Sequence, residues 1–143
     1  MTDPLITALR RLPHGPEFCF LDKLTSLDPG HSGTGEYTVR AGELFLRGHF
    51  PNQPIFPGVL LLEAATQLAG VVVQSDAQIP SLPDLKLTAI RGVKILGSAK
   101  PGDVIRLEAH IVKRLGKLVQ VEVSAYVKNQ LILQGEITLS GSS

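Results

Sequence analysis

From residue 104 onward the chain alternates apolar and polar positions with a period of two. "VIRLEAHIVKRL", "LVQVEVSAYVK" and "QLILQGEITLS" each read as a strand with one buried face, broken by Gly116 and by a turn at Lys128-Asn129-Gln130. Upstream, "KLTAIRGVKIL" runs as a further strand towards a Pro101-Gly102-Asp103 turn. Near the start, "EFCFLDKLTSLDPG" reads as a strand ending at Asp28-Pro29-Gly30, with "GTGEYTVRA" as its hairpin partner. Ahead of both, "PLITALRRL" spaces Leu5, Ile6, Leu9 and Leu12 as a short helix over residues 4–12. Only one segment breaks the β pattern for long. From Pro57 onward, Leu60, Glu63, Ala64, Gln67, Leu68 and Val71 recur at three- and four-residue spacings. Pro is tolerated in a first helical turn, and Pro80 and Pro83 forbid continuation beyond "SDAQIPSLPD".

That helix is apolar nearly all round, so it must be wrapped by other structure. An antiparallel sheet wrapped around a long central helix does this, and the class is α+β. Residues 1–143 make a single domain with no repeat and no linker. The segment 42–58, punctuated by Pro51, Pro54 and Pro57, is an irregular loop, and the terminal "SGSS" is loose.

Composition narrows the function. A chain of 143 residues can bury a core without staples, and 43% hydrophobic with 19% charged residues is a globular balance. A net charge of +1 with no basic stripe argues against a nucleic-acid partner. Cys19 is alone, so no intrachain disulfide forms, and a buried, inert thiol in a reducing compartment is the simple reading. The N-terminus lacks the pattern of a secretory signal, and the apolar run 59–73 is interrupted by Glu63, Thr66 and Gln67, too short and too polar for a membrane span. A soluble cytoplasmic protein is expected.

The four histidines have no metal-ligand spacing and no cysteine partners, the glycines match neither a dinucleotide fingerprint nor a P-loop, and Gly-x-Ser-x-Gly is absent. What remains is "GHFPNQPIFPGVLLLEAATQ", where a histidine sits at a Pro-rich bend and an acid sits in the apolar helix that follows. Leu60, Leu61, Leu62, Ala64 and Ala65 surround Glu63 in sequence. A carboxyl buried there would tend to hold its proton and could give it away, while a neutral His49 could accept one. Gln67, four residues on, shares the face of Glu63 and can hold it by a hydrogen bond. Free N–H groups at the helix start, beside Gly58, suit a carbonyl oxygen that gains negative charge. Together these describe proton abstraction next to a carbonyl with acid-assisted departure of a second group.

The stretch "GHFPNQPIFPGVLLLEAATQLAG" resembles the active-site motif of the β-hydroxyacyl-acyl carrier protein dehydratases of bacterial fatty acid synthesis, which have the hotdog fold. "LPH" with "FCFLDKL", and "KPGDVIRLEAHIVKRLGK", extend the likeness over most of the chain. The resemblance implies His49 as catalytic base and Glu63 as catalytic acid. It implies a substrate-binding set of Gly58, Phe50, Pro57, Val59 and Gln67, with no metal and no cofactor. It also implies an acyl carrier protein or coenzyme A thioester as substrate, and a homodimer with shared active sites, alone or as a trimer of dimers. The acyl tail needs a tunnel, for which Leu60 and Leu68 are candidates. A thioesterase and a non-catalytic acyl-thioester binding protein are the alternatives on this fold. The chain departs from the family at Pro16-Glu17 and at Ile95-Leu96-Gly97-Ser98, where basic residues near the carrier-protein surface are expected; Arg47, Arg91, Lys94 and Lys100 are the cations that could replace them.

Overall fold

The structure is a computed structural model that describes residues 4–10, 12–43, 46 and 55–142. In chain order the elements are α1 (Pro4–Leu9), a 3-10 turn (Pro16–Phe18), β1 (Lys23–Asp28), β2 (Ser32–Thr38), α2 (Gly58–Gln74), β3 (Lys86–Ile95), β4 (Val104–Leu115), β5 (Leu118–Val127) and β6 (Gln130–Ser140). All six strands join one sheet in the order β1-β2-β4-β5-β6-β3, and every pairing is antiparallel.

The period-two segments become strands because alternation lets each bury one face against the helix. Ile105, Leu107 and Ala109 of β4, Val119, Val121, Val123 and Ala125 of β5, and Leu133, Ile137 and Leu139 of β6 are all buried. They meet Ala64, Ala65, Leu68, Ala69 and Val72 of α2, which are fully buried. Two features let the helix sit close. Its inner face is mostly alanine, and β2 offers Gly33, where a Cβ would lie 2.9 Å from Val72 Cγ2. At the β5–β6 turn, Lys128 and Asn129 both take positive φ, as a tight two-residue hairpin turn demands.

Three boundaries differ from the sequence pattern. The first helix ends at Leu9, short of residue 12. The first strand starts at Lys23 rather than near residue 17, because Pro16 opens a 3-10 turn and the backbone of Phe18 and Phe20 bonds to the Gln67 side chain instead of a sheet neighbour. The tail is tied down as far as Ser142: the Gly141 N–H donates to the Lys117 carbonyl and the Ser142 N–H to the Pro83 carbonyl. Of the irregular loop 42–58, residues 44–45 and 47–54 lie outside the described residues.

Strand β3 stands apart. It lies at one edge of the sheet and none of its residues is fully buried. Ile90 and Ile95, together with Leu96 just beyond its end, expose more than half their surface.

Candidate active site

The site grows from the outer side of α2, where a polar or small residue recurs at Glu63, Gln67, Gly70 and Gln74. Spacings of four, three and four residues put all of these on one stripe. Gln67 is the fixed point. It is 2% exposed, and its amide oxygen accepts the Phe20 N–H at 2.8 Å. Its Nε2 donates to the Phe18 carbonyl at 2.9 Å and to Glu63 Oε2 at 3.0 Å. A buried amide is costly unless satisfied. Here it clamps the N-terminal loop onto the helix and orients the carboxylate.

Glu63 itself is less buried than its neighbours in sequence suggest: the side chain keeps about 25% of its surface exposed. The expectation of an acid enclosed in an apolar pocket is corrected on that point. The cause is geometric, since its apolar neighbours Leu61, Ala64 and Ala65 turn inward while Glu63 faces the N-terminal loop.

That loop brings a residue for which sequence reasoning had given no role in the site. His14 Nε2 lies 3.4 Å from Glu63 Oε2, and the ring stacks on Phe18 with centroids 6.1 Å apart. Its Nδ1 is buried with no hydrogen-bond partner among the described residues. The tautomer that fits carries its proton on Nε2, aimed at the carboxylate. "LPH" was a visible signal, but nothing in its spacing from Glu63 announces contact.

The helix start lies five residues from Glu63, about 7.5 Å along the axis. Pro57 is buried and caps α2 without a side-chain hydrogen bond, and its carbonyl accepts the N–H groups of Leu60 and Leu61. At Gly58 a Cβ would meet only the tip of Ile95, 2.8 Å away at Cδ1, a half-exposed side chain free to turn aside. Val59 is 75% exposed. The chain leading into the helix is held by Phe56, which meets Phe20 edge-on and Tyr37 at a tilt and donates its N–H to the Ala99 carbonyl at 2.8 Å. His49 and Phe50, the other expected site residues, lie outside the described residues.

Glu63 opens onto a cavity of about 580 Å³ between α2, the N-terminal loop and residues 82–87. Leu12, Pro13, Val71, Leu85, Leu87 and Leu139 supply much of its apolar wall. Leu60 and Leu68 do not line it. Leu68 is fully buried against the sheet, and Leu60 packs on the core. A larger concavity of about 830 Å³ lies on the outer face of the sheet and is lined by Arg91, Lys94, Glu108, His110, Glu122 and Glu136 among others. It is mostly polar, and Glu63 does not line it. Arg91 and Lys94 face this outer concavity, whereas the cation beside the Glu63 cavity is Lys86. Cys19 is half-buried and its thiol contacts the Leu21 carbonyl at 3.5 Å.

A single helix wrapped by an antiparallel sheet, with an acid on the helix at the mouth of an apolar cavity, defines a hotdog-fold protein with a candidate acid–base site. The chain belongs to the family of the FabA-like domain, whose family model matches residues 12–136. It is 35% identical over 134 residues to the 3-hydroxyacyl-acyl-carrier-protein dehydratase FabZ of Natranaerobius thermophilus, with 90% of each chain covered. To the FabZ of Ruminiclostridium cellulolyticum it is 39% identical over 132 residues, covering 88% of each. Among solved structures, the dehydratase heterocomplex ApeI:P from Xenorhabdus doucetiae superposes with a TM-score of 0.78 at 15% identity, covering 97% of this chain and 91% of that one. This last likeness speaks for the fold alone. No helix among the described residues is long and apolar enough to cross a membrane.

Proposed function

We propose that this protein is a cytoplasmic dehydratase of fatty acid biosynthesis, converting a 3-hydroxyacyl thioester, carried by acyl carrier protein or coenzyme A, to the trans-2-enoyl thioester and water. The observation that carries the reading is Glu63, oriented by Gln67 at the mouth of an apolar cavity, in a chain similar to FabZ dehydratases along nearly its whole length.

The thioester carbonyl acidifies the neighbouring C–H. His49 removes that proton as base, and the positive end of α2, at Pro57, Gly58 and Val59, stabilises negative charge gathering on the carbonyl oxygen. Glu63 protonates the departing hydroxyl, which leaves as water. Gln67 holds the carboxyl in line, Phe50 flanks the substrate beside the base, and the acyl tail occupies the cavity below Glu63.

The active form is a homodimer in which His49 of one chain faces Glu63 of the other, alone or as a trimer of dimers. Supporting this, β3 is an edge strand that pairs with β6 on one side only among the described residues, and such an open edge is a template for pairing with another chain. Ile90, Ile95, Leu96 and Val59 give that edge an apolar surface for a second copy.

The test is enoyl-thioester hydration, followed by loss of the conjugated chromophore, on carrier-protein and coenzyme A substrates. Turnover by the wild type that is lost in His49→Ala and Glu63→Gln is the expected result. A folded wild type inert on every substrate would overturn the reading.

A further inference from the structure

The cavity below Glu63 runs along α2. It follows the stripe on α2 from Glu63 past Gln67 and Gly70 to Gln74. Gln74 is locked in place: its Nε2 donates to the Leu82 carbonyl at 2.8 Å, and its Oε1 accepts the Leu82 N–H at 2.9 Å. Both polar ends of the amide are thus turned to backbone, and the side chain, at the last residue of the helix, moves only by breaking these hydrogen bonds. Midway along, Gly70 faces the cavity, and a Cβ built there would meet nothing within 4 Å among the described residues. Glycine is the least favourable residue in a helix interior after proline. No close packing among those residues demands it here, as Val72 does at Gly33.

Apart from His14 Nδ1 beside Glu63, the buried polar side chains in the wall are already occupied. Thr66 donates its hydroxyl to the Leu62 carbonyl, Gln67 has its three partners, and Asp84 accepts from the Ser142 hydroxyl. Lys86 is exposed at the rim. An apolar tail can therefore lie along this wall without stripping any buried group of its hydrogen bond.

We infer that Gly70 and the Gln74–Leu82 clamp are the specificity determinants for acyl chain length, Gly70 leaving room for the tail and Gln74 stopping it. The span from Glu63 to Gln74 is eleven residues of helix, about 16 Å. An extended chain advances about 3.3–3.6 Å for every three backbone bonds, so the span takes about fourteen carbons beyond the carbon that faces Glu63. The substrate is thus a long-chain 3-hydroxyacyl thioester. This rests on the dehydratase reading for the reacting head, but the depth of the cavity is measurable without turnover.

The experiment is calorimetric binding of saturated acyl-coenzyme A thioesters, from butyryl to eicosanoyl, to the wild type, Gly70→Leu and Gln74→Ala. For the wild type, affinity should climb up to about fourfold per added carbon while methylenes are buried, then level off near hexadecanoyl. Gly70→Leu should move that break to shorter chains and weaken hexadecanoyl binding at least tenfold relative to butyryl. Gln74→Ala, which removes the stop, should move the break to longer chains. A break at the same length in all three proteins, or affinity that does not depend on chain length, would overturn the inference. Because the readout is binding, either result stands whether or not the protein dehydrates its ligand. If Gly70→Leu fails to fold, Gln74→Ala still decides the matter through the opposite shift.

Discussion

The two sides of α2 follow different rules. The inner side, with Ala64, Ala65, Leu68, Ala69 and Val72, is fully buried and meets β4, β5 and β6. The outer stripe, Glu63, Gln67, Gly70 and Gln74, contains every strong polar group of the helix together with a residue that has no side chain at all. Burial optimises the first side and works against the second. The two amides tie surrounding backbone to the helix, Gln67 at Phe18 and Phe20 and Gln74 at Leu82. The carboxylate and the glycine contribute little that leucine would not contribute better to packing, and on the proposed reading they serve the ligand.

If that contrast is right, the two sides should fail in different assays. The largest effect is expected on the outer side, at the chemistry. Glu63→Gln keeps the shape and a hydrogen-bonding group for Gln67 but removes the acid, and kcat should fall about 10²–10⁴-fold. Its melting temperature should stay close to wild type, because the side chain is partly exposed and lies outside the core. His49→Ala should lose activity on the same scale. Equal loss of stability and activity in Glu63→Gln would put the residue on the structural side of the comparison.

Leu68→Ala should do the reverse. Leu68 is fully buried between helix and sheet, and truncation should cost about 2–5 kcal/mol through lost burial and a residual cavity. Urea unfolding would read this directly as a lower midpoint. The remaining folded enzyme should keep its kcat, since Leu68 lines no part of the Glu63 cavity.

How far the sequence foretold this division depends on the residue. Strict alternation made β4, β5 and β6 legible, because period two admits one buried face and little else. The all-round apolar helix announced its own wrapping. Glu63 and Gln67 stood out for the same reason, as polar positions in a segment where burial should be uniform. The N-terminal loop was illegible: residues 17–22 alternate like a strand, yet a side chain 47 residues downstream competes for the Phe20 N–H and prevents sheet pairing. His14 was missed for a related reason, since its contact with Glu63 depends on a 3-10 turn opened by Pro16. The cavity could not be read either, because depth depends on Leu82, Leu85 and Leu87 meeting α2 from a segment with no periodicity of its own.

His14 sharpens the comparison at a smaller scale. At 3.4 Å from Glu63 Oε2, with both side chains about a quarter exposed, the contact is worth at most about 1 kcal/mol after solvent screening. His14→Gln should therefore lower kcat no more than about fivefold and leave KM nearly unchanged, as expected for a residue that acts by positioning the acid. Steady-state kinetics on a single substrate separates the two constants. A rise in KM with unchanged kcat would place His14 with the cavity wall instead.

The smallest effect concerns Gly70, where the two sides of the helix come closest to conflict. Replacing an interior helical glycine by alanine stabilises by about 0.5–1 kcal/mol when the new methyl group meets no obstacle, and among the described residues none lies within 4 Å here. Gly70→Ala should therefore raise the melting temperature by about 3 °C, the opposite sign to Leu68→Ala on the inner face of the same helix. Differential scanning calorimetry would resolve it. A stabilised variant that also binds long acyl thioesters less well would mean that this position gives up stability to keep the cavity open. A destabilised one would mean that something outside the protomer, such as a second copy of the chain, already presses against Gly70, and the open space in one protomer would then belong to an interface.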